Sequence, residues 1–441
     1  MAQSQPNFVD RVRRSIRRQT FWGETDRERM RLVTSDLILH LHPRTVPAAA
    51  LRWTYTFGLG GLAILLLPIM IVTGILLMFS YTPSTDAAYT SILNLEQHIW
   101  FGQLIRNLHH WSANLLLVVT VLHLLRVLYT GAFHKPREFN WQIGLMLLGL
   151  VVAANFTGYL LPWDQLGYWA VTVVTSLIDS IPLIGPDIRV WLLGGDQVNE
   201  NTLHNFYVLH IMLIPLGLLL ATSFHIWRVR KDGISIPHNL NDDPISTEQR
   251  TTIPHLISRE FIFGLLMVAL LLAWATWVDA PLGASANPNQ PPNPTKTAWY
   301  FMGLQEFLLH IYPSVAGIAI LGLLIMALIL LPYWDDTSDS TGIWFRSRRA
   351  RWICGVSVPV GVGIALTSIL LTEISTNSGV IPLVAALLLV GGYWWLLHCR
   401  GADAGEIRLA LFTLIFTIFV TFTVIGIGFR GEGMTLRGPW A

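Results

Sequence analysis

The chain has 441 residues, of which 53% are hydrophobic and only 13% charged, and its formal net charge is +2. Soluble globular domains carry about 25% charged residues, so this composition excludes a soluble protein, and so small a net charge gives no reason to expect a nucleic-acid partner. The two cysteines, Cys354 and Cys399, stand apart with no CxxC or CxxCH run. They signal neither an iron–sulfur cluster, a zinc site nor a covalently attached c-type haem, and both are expected to be buried thiols acting as small hydrophobes.

The N-terminal stretch RVRRSIRRQTFWGETDRERMRLV is basic and amphipathic and reads as a helix lying on a membrane surface rather than a cleavable signal peptide. Nine apolar runs near the ~20 residues needed to cross a bilayer follow, at 57–80, 105–130, 141–161, 205–229, 260–278, 314–333, 352–372, 380–398 and 407–428. Basic residues cluster in alternate loops: Arg11 to Arg18 before span one, Lys135 and Arg137 after span two, RVRK after span four, and Arg346 to Arg351 before span seven. The positive-inside rule puts all four on one side, so the N-terminus is expected in the cytoplasm. The outward loops 162–203 and 279–313 are long, poor in basic residues and rich in Pro, Gly and Trp, the character of functional or disordered loops.

The predicted fold class is therefore an all-α polytopic membrane protein: a four-helix bundle, then a C-terminal helical module, about nine spans in total. The expected divisions are 1–50, a cytoplasmic region with its surface helix; 51–235, the four-helix module; and 236–258, a polar cytoplasmic linker. Residues 259–335 form a C-terminal module with an outer loop, and 336–441 add further membrane helices.

Four histidines in the bundle need a reason, because an ionisable ring in hydrocarbon is costly. His109 and His123 lie fourteen residues apart in span two, and His210 and His225 lie fifteen apart in span four. Fourteen residues of α-helix advance about 21 Å and return to within about 40° of the starting azimuth, and fifteen advance about 22.5 Å and return to within about 60°. Both spans run from outside to inside, so His109 matches His210 in depth and His123 matches His225. Two such pairs are what two six-coordinate b-type haems require: His109 and His210 on the iron of an outer haem, His123 and His225 on that of an inner one. Gly60 and Gly74 in span one, and Gly144 and Gly158 in span three, repeat the fourteen-residue period. Their missing side chains would admit the macrocycle edge. Arg106 and Arg126, each three residues from a histidine ligand, are candidates to pair with haem propionates. His110, pointing about 100° from His109, is expected beside the site and not on iron.

With RNLHHWSANLLLVVTVLHLLRVLYTGAFHKPREFNW, FTGYLLPWDQLGYWAV and RKDGISIP in view, the chain resembles cytochrome b of the cytochrome bc1/b6f family over about residues 30 to 335. The fifteen-residue histidine spacing and the WDQ of PWDQ resemble the b6 branch, while both halves on one chain resemble the bc1 branch, which suggests a bacterial complex of intermediate type. The resemblance implies a quinol–cytochrome c reductase subunit that oxidises quinol at the outer face. Electrons would pass through two non-covalent b-type haems (iron protoporphyrin IX) to an inner quinone, building a proton gradient. It further implies an outer quinol site at Pro162, Trp163, Asp164, Gln165, Trp299 and Tyr300. Implied partners are a Rieske iron–sulfur protein, a c-type cytochrome or equivalent acceptor, membrane lipids, and a second copy in a homodimeric multi-subunit complex. The location implied is a bacterial inner membrane.

Three departures stand out. The family's Pro-Glu-Trp-Tyr motif reads TAWY, with Ala298 at the glutamate position; Glu306 is the first candidate to replace it as proton acceptor and Asp164 the second. Gly58 stands where the b6 branch tethers a third haem through cysteine, so no covalent third haem is expected. Asn205, beside His204, replaces an arginine before the third ligand. Arg230 and Lys231 are candidates for an inner quinone site. The alternatives are a di-haem membrane anchor of a dehydrogenase or hydrogenase, which would leave PWDQ and WYF unexplained, and a transporter, which would spread its histidines along a pore.

Overall fold

A computed structural model describes residues 25–35, 42–236, 247–312, 319–334, 344–345, 347–374 and 379–438. The helices are α1 (Asp26–Ser35), α2 (Leu59–Met78), α3 (Ala88–His98), α4 (Gly102–Tyr129), α5 (Glu138–Leu160), α6 (Gln165–Ile178), α7 (Gly185–Leu193), α8 (Glu200–Asp232), α9 (Ile257–Trp277), α10 (Met302–His310), α11 (Leu321–Trp334), α12 (Arg348–Ile374), α13 (Ile381–Cys399) and α14 (Ala404–Gly428). Among the described residues, α2, α4, α5, α8, α9, α12, α13 and α14 are long and apolar enough to cross a membrane. Within hydrocarbon a helix satisfies its own backbone, which is why apolar runs of this length fold in no other way.

The expected sixth span, 314–333, is represented by the 14-residue α11; residues 313–318 lie outside the described part. The basic surface helix likewise falls mostly on residues outside it, with α1 at its described end. The linker after α8 is partly outside too; its described end pairs Gln249–Thr251 (β2) antiparallel with Thr45–Pro47 (β1). Cys354 is buried as expected, but Cys399 is exposed at the end of α13, so the expectation for it was wrong.

Helices α2, α4, α5 and α8 form the bundle. Its middle is a plug of aliphatic side chains, including Leu66, Leu67, Leu116, Leu117, Val151, Ile214 and Leu218. These positions fall midway between the histidines and midway between the paired glycines, so the plug separates two levels. A second apolar cluster, with Ile353, Ile364, Tyr393, Leu397, Ala410 and Leu414, joins α12, α13 and α14. Helix α11 docks on α5 through a backbone defect. Pro332 has no N–H and leaves the Leu328 carbonyl without its helical partner. The Trp141 indole donates to that carbonyl at 2.8 Å, and Gln142 donates to Ile329 O at 2.5 Å.

Candidate functional site

At the level expected to face outward, the rings of His109 and His210 stand 6.1 Å apart, centroid to centroid. A metal–imidazole bond of about 2 Å on each side, plus roughly 1 Å from nitrogen to ring centre, makes about 6 Å. The tautomers follow from the threonines behind the rings. Thr73 Oγ1 gives its proton to Ile69 O at 2.7 Å and so accepts from His109 Nδ1 at 2.9 Å. Thr157 Oγ1 gives its proton to Ala153 O at 2.8 Å, while His210 Nδ1 meets Thr157 Oγ1 at 3.2 Å and Ala154 O at 3.0 Å. With Nδ1 donating, each Nε2 keeps its lone pair for a metal. Sequence reasoning missed both threonines, although each stands in a Thr-Gly dipeptide (73–74 and 157–158) that recurs at the two positions.

The glycines meet the histidines one to one. A Cβ on Gly74 would lie 3.2 Å from His109 Cε1, and one on Gly158 only 2.6 Å from His210 Cε1. At the other level the distances are 3.5 Å from Gly60 to His123 and 3.6 Å from Gly144 to His225. The fifteen-residue spacing in α8 also finds its reason. Residues Leu209–Leu213 form a wide π-type turn that contains His210. Such a turn inserts one residue into a helix, so fifteen residues present the rings as fourteen do in α4.

The arginines part company. Arg126 gives Nε to Tyr55 O at 3.0 Å and lies 4.4 Å over the Tyr55 ring, but its buried Nη2 has no partner among the described residues. A free, buried guanidinium nitrogen fits a carboxylate such as a propionate. Arg106 is already engaged: it pairs with Glu96 and donates to Ala280 O at 2.9 Å and to Pro281 O at 2.7 Å. Among the described residues no group of three or more His, Cys, Asp or Glu side chains could hold a bare ion. Paired imidazoles facing a gap lined by glycine suit a metal whose remaining ligands come from a flat macrocycle.

A cavity of about 930 Å³, near the upper end of the ~300–1,000 Å³ usual for small-molecule sites, runs from His109 and His210 past Gly74 and Gly158 to Pro162, Asp164, Trp299 and Tyr300. The two outer loops interlock around it. Asp164 caps α6 by accepting from Gly167 N at 2.8 Å and also accepts from Gly283 N at 2.7 Å. Gln165 bonds the loop after α9 through Ala284 O, Asn287 N and Gln290 O, while Trp163 is buried behind, against Tyr168. Pro162, Asp164, Trp299 and Tyr300 therefore face the cavity, and Trp163 and Gln165 build its wall. The Tyr300 hydroxyl is buried with no partner among the described residues, and burial pushes its ionisation up. His110 lines the cavity as well.

Glu306 lies away from this cavity. It is fully buried and paired with Arg430 at 2.6 Å and His310 at 3.1 Å. Burial raises its pKa, but the bonds from His310 and Arg430 and the arginine's charge outweigh that and hold it below the ordinary carboxylate value. His204 is exposed, and Asn205 donates to Leu192 O at 3.4 Å. At the far end of the bundle Lys231 lies 5.3 Å over the Trp227 ring, beside Arg230. Glu260, which sequence reasoning passed over, packs its carboxylate against Gly61 and stands 3.8 Å from His42 Nε2.

A membrane bundle with four histidines at two depths, each set against a glycine and the outer two 6.1 Å apart, defines the frame of a membrane cytochrome. Residues 46–233 match the family described as Cytochrome b/b6/petB, and residues 285–366 match Cytochrome b(C-terminal)/b6/petD. Cytochrome b6 of Heliomicrobium gestii is 43% identical over 181 residues, 41% of this chain and 85% of that one. Cytochrome b of Solanum tuberosum is 31% identical over 309 residues, 69% of this chain and 77% of its own length. A solved chain described as "Hyperthermophilic respiratory Complex III" shares the fold with a TM-score of 0.66 at 23% identity, covering 87% of this chain and 93% of that chain. The chain belongs to the cytochrome b/b6 family, an integral membrane family that carries b-type haem in electron transport, and here its b6-like and C-terminal parts are fused.

Proposed function

We propose that this chain is the cytochrome b subunit of a quinol:cytochrome c (or equivalent acceptor) oxidoreductase. It oxidises quinol at the outer face and passes electrons across the membrane to an inner quinone, translocating protons. The observation that carries this reading is the outer level: two imidazoles 6.1 Å apart, both with Nδ1 engaged, open into a cavity that continues to the interlocked outer loops. Two non-covalent b-type haems, when bound, supply one-electron carriers at the two depths. His109 and His210 would hold the outer iron, and His123 and His225 the inner one. Gly60, Gly74, Gly144 and Gly158 would leave room for the ring edges, and Arg126 would pair with a propionate. Arg106 spends three of its five N–H groups on Glu96, Ala280 and Pro281, anchoring the outer loop to the end of α4, and, because it also lines the cavity, would keep donors for a propionate of the outer haem.

At the outer site the unpartnered Tyr300 hydroxyl is placed to bond a quinol oxygen, with Trp299 and Pro162 enclosing the ring. Asp164 is the better proton acceptor of the two candidates. It lines the cavity, and burial holds its carboxyl above the ordinary value despite the N–H bonds from Gly167 and Gly283. One electron then leaves to a Rieske iron–sulfur protein and the other crosses the bundle. At the inner site Glu260 and His42 are candidates to deliver protons to quinone, beside Arg230 and Lys231 as candidates to bind it. A covalent third haem is not part of this reading, because Gly58 carries no thiol and Trp53 and Phe263 stand 3.1–3.3 Å from where its Cβ would be. The complex is read as a homodimer in a bacterial inner membrane, with the N-terminus cytoplasmic and a c-type cytochrome or its equivalent as acceptor. The domain divisions at 50, 235, 258 and 335 follow the sequence reading. A di-haem anchor would leave the cavity's extension into the outer loops without a role.

The test is a redox titration of the purified protein, followed by reduced-minus-oxidised spectra, repeated for His109→Ala and His225→Ala. Two b-type components, each variant losing a different one, are expected. A single component in the unaltered protein would refute the assignment.

A further inference from the structure

Helix α14 ends at the outer side, and the chain folds back on itself there: Gly431 N donates to Thr435 O and Arg437 N to Phe429 O, each at 2.9 Å. Arg430 sits at the root of this hairpin with its side chain only 3% exposed. Its Nη2 donates to Glu306 Oε1 at 2.6 Å and its Nε to Glu306 Oε2 at 3.0 Å, a two-pronged grip on one carboxylate. Its Nη1 donates to Met434 O at 2.9 Å and to Glu373 of α12 at 3.3 Å. His310 closes the cluster, facing Glu306 through Nε2 at 3.1 Å and Thr372 through Nδ1 at 2.9 Å.

The same helix touches the quinol-side loop on both sides of Trp299 and Tyr300. Lys296 Nζ donates to Ile427 O at 3.0 Å, and Gly433 N to Asn293 Oδ1 at 2.5 Å. Beyond the tyrosine, Gly303 is so close to α14 that a Cβ would lie 2.5 Å from Thr423 Oγ1, and Gly426 so close to Met302 that one would lie 2.9 Å from its Cε. Between these anchors the loop is closed on itself: Gln305 Nε2 donates to Thr295 O at 2.8 Å and Thr297 N to Gln305 Oε1 at 2.9 Å. These bonds tie residues 295–306 to one another, and the Glu306–Arg430 ion pair joins the contacts above in holding them to α14 and its hairpin.

We propose that Arg430 is a positioning residue for quinol oxidation: by gripping Glu306 it sets Trp299 and Tyr300 against the Asp164 turn. The terminal helices, in which the sequence carries no readable motif, thereby hold the quinol loop in register. This rests on the quinol reading above. Glu306, on this view, acts through Arg430 and does not itself take the quinol's proton.

The experiment compares quinol–acceptor kinetics and haem spectra for Arg430→Gln, Glu306→Gln, the double variant and Arg430→Lys, in membranes holding the whole complex. Small misplacements of a binding group cost on the order of tenfold to hundredfold in reactivity. Arg430→Gln and Glu306→Gln are expected to raise the quinol KM by about tenfold alike, with kcat nearly kept, the pH profile unmoved and both haem components unchanged. The double variant should be no worse than either single one, and Arg430→Lys should recover part of the loss. A KM within about twofold of the unaltered complex in Arg430→Gln would overturn the proposal. So would loss of kcat at saturating quinol in Glu306→Gln alone, since Glu306 would then act on quinol directly. If Arg430→Gln does not accumulate, the double variant, which leaves no lone buried charge, is decisive by the same KM criterion. Absence of any quinol oxidation by the unaltered complex would sink the parent reading, whereas an unchanged KM in the variants sinks only this proposal.

Discussion

Replacing Gly158 with alanine adds one carbon 2.6 Å from Cε1 of His210, 3.1 Å from Nδ1 and 3.3 Å from Nε2. Non-bonded carbons settle at about 3.5–4.0 Å, so the ring must withdraw by about 1 Å or α5 must back away. The ring cannot withdraw freely, because Nδ1 is bonded to Ala154 O at 3.0 Å on the helix that carries the new methyl. Overpacking of this kind costs typically about 1–3 kcal/mol, and each ~1.4 kcal/mol taken from ligation is tenfold in the equilibrium. Gly144→Ala is the milder comparison, since its Cβ would meet His225 Cε1 at 3.6 Å, an ordinary contact, and could crowd only the group the histidine holds. The assay is the reduced-minus-oxidised spectrum with a redox titration, the outer component being the one lost in His210→Ala. Gly158→Ala should weaken or shift that component alone, Gly74→Ala at 3.2 Å should do so less, and Gly144→Ala should disturb the other component least of the three. An unperturbed spectrum in Gly158→Ala, or a larger effect in Gly144→Ala, would refute the argument that these glycines make room for a group held by the histidines.

Arg126→Gln removes a buried cation with one free nitrogen from the inner level. It should lower the midpoint of the inner component by on the order of 60 mV, a tenfold shift for one electron, because a cation favours the more negative, reduced state; an upward or absent shift would count against propionate pairing. If Asp164 takes the quinol's proton, the rate must fall as pH drops through a value above the ordinary 3.8 to which burial raises it. That acid limb should vanish in Asp164→Asn; its persistence would point to another base. Glu306 is held below its ordinary 4.5, so the stability it contributes is fully present above that value and is lost only as pH falls through the lower folded one. What Glu306 adds to the thermal midpoint of the detergent-solubilised protein, read against Glu306→Gln at each pH, should stay constant from about pH 8 to about pH 5. Arg430→Gln should lower the midpoint at neutral pH, since breaking a buried pair costs about 3–5 kcal/mol.

The bundle was legible because a period shared by four histidines and four glycines reports depth and azimuth together, and the structure sets each glycine against one histidine. The meeting of the PWDQ turn with the loop after α9 was legible only through family resemblance. The strand-like bridge between Asp164 and Ser285 joins segments that share no periodicity. The partner of Glu306 could not be read at all. Arg430 lies 124 residues further on, and an ion pair across that distance leaves no mark in one sequence. Trp299 and Glu306 lie seven residues apart, two turns of a regular helix, which would give them one face towards quinol. The segment begins, however, as a short 3₁₀ turn at Trp299–Phe301 before α10, so the assumed phase did not hold. Glu260 was missed for a different reason: a lone carboxylate beside an arginine at a helix start reads as ordinary capping.

The wide turn at Leu209–Leu213 bears on how chains of this kind can change in length. Because the extra residue is absorbed locally, the orientation of His210 depends on winding there and not on the number of residues to His225. Deleting one residue between the two histidines would let the turn relax to regular α-helix and leave both rings facing the same gap. Spacings of fourteen and fifteen are then interchangeable solutions to one geometric demand, separated by a single insertion. A one-codon deletion in α8 should therefore be tolerated where the same deletion in the unbulged α4 would turn His123 away from its gap by about 100°.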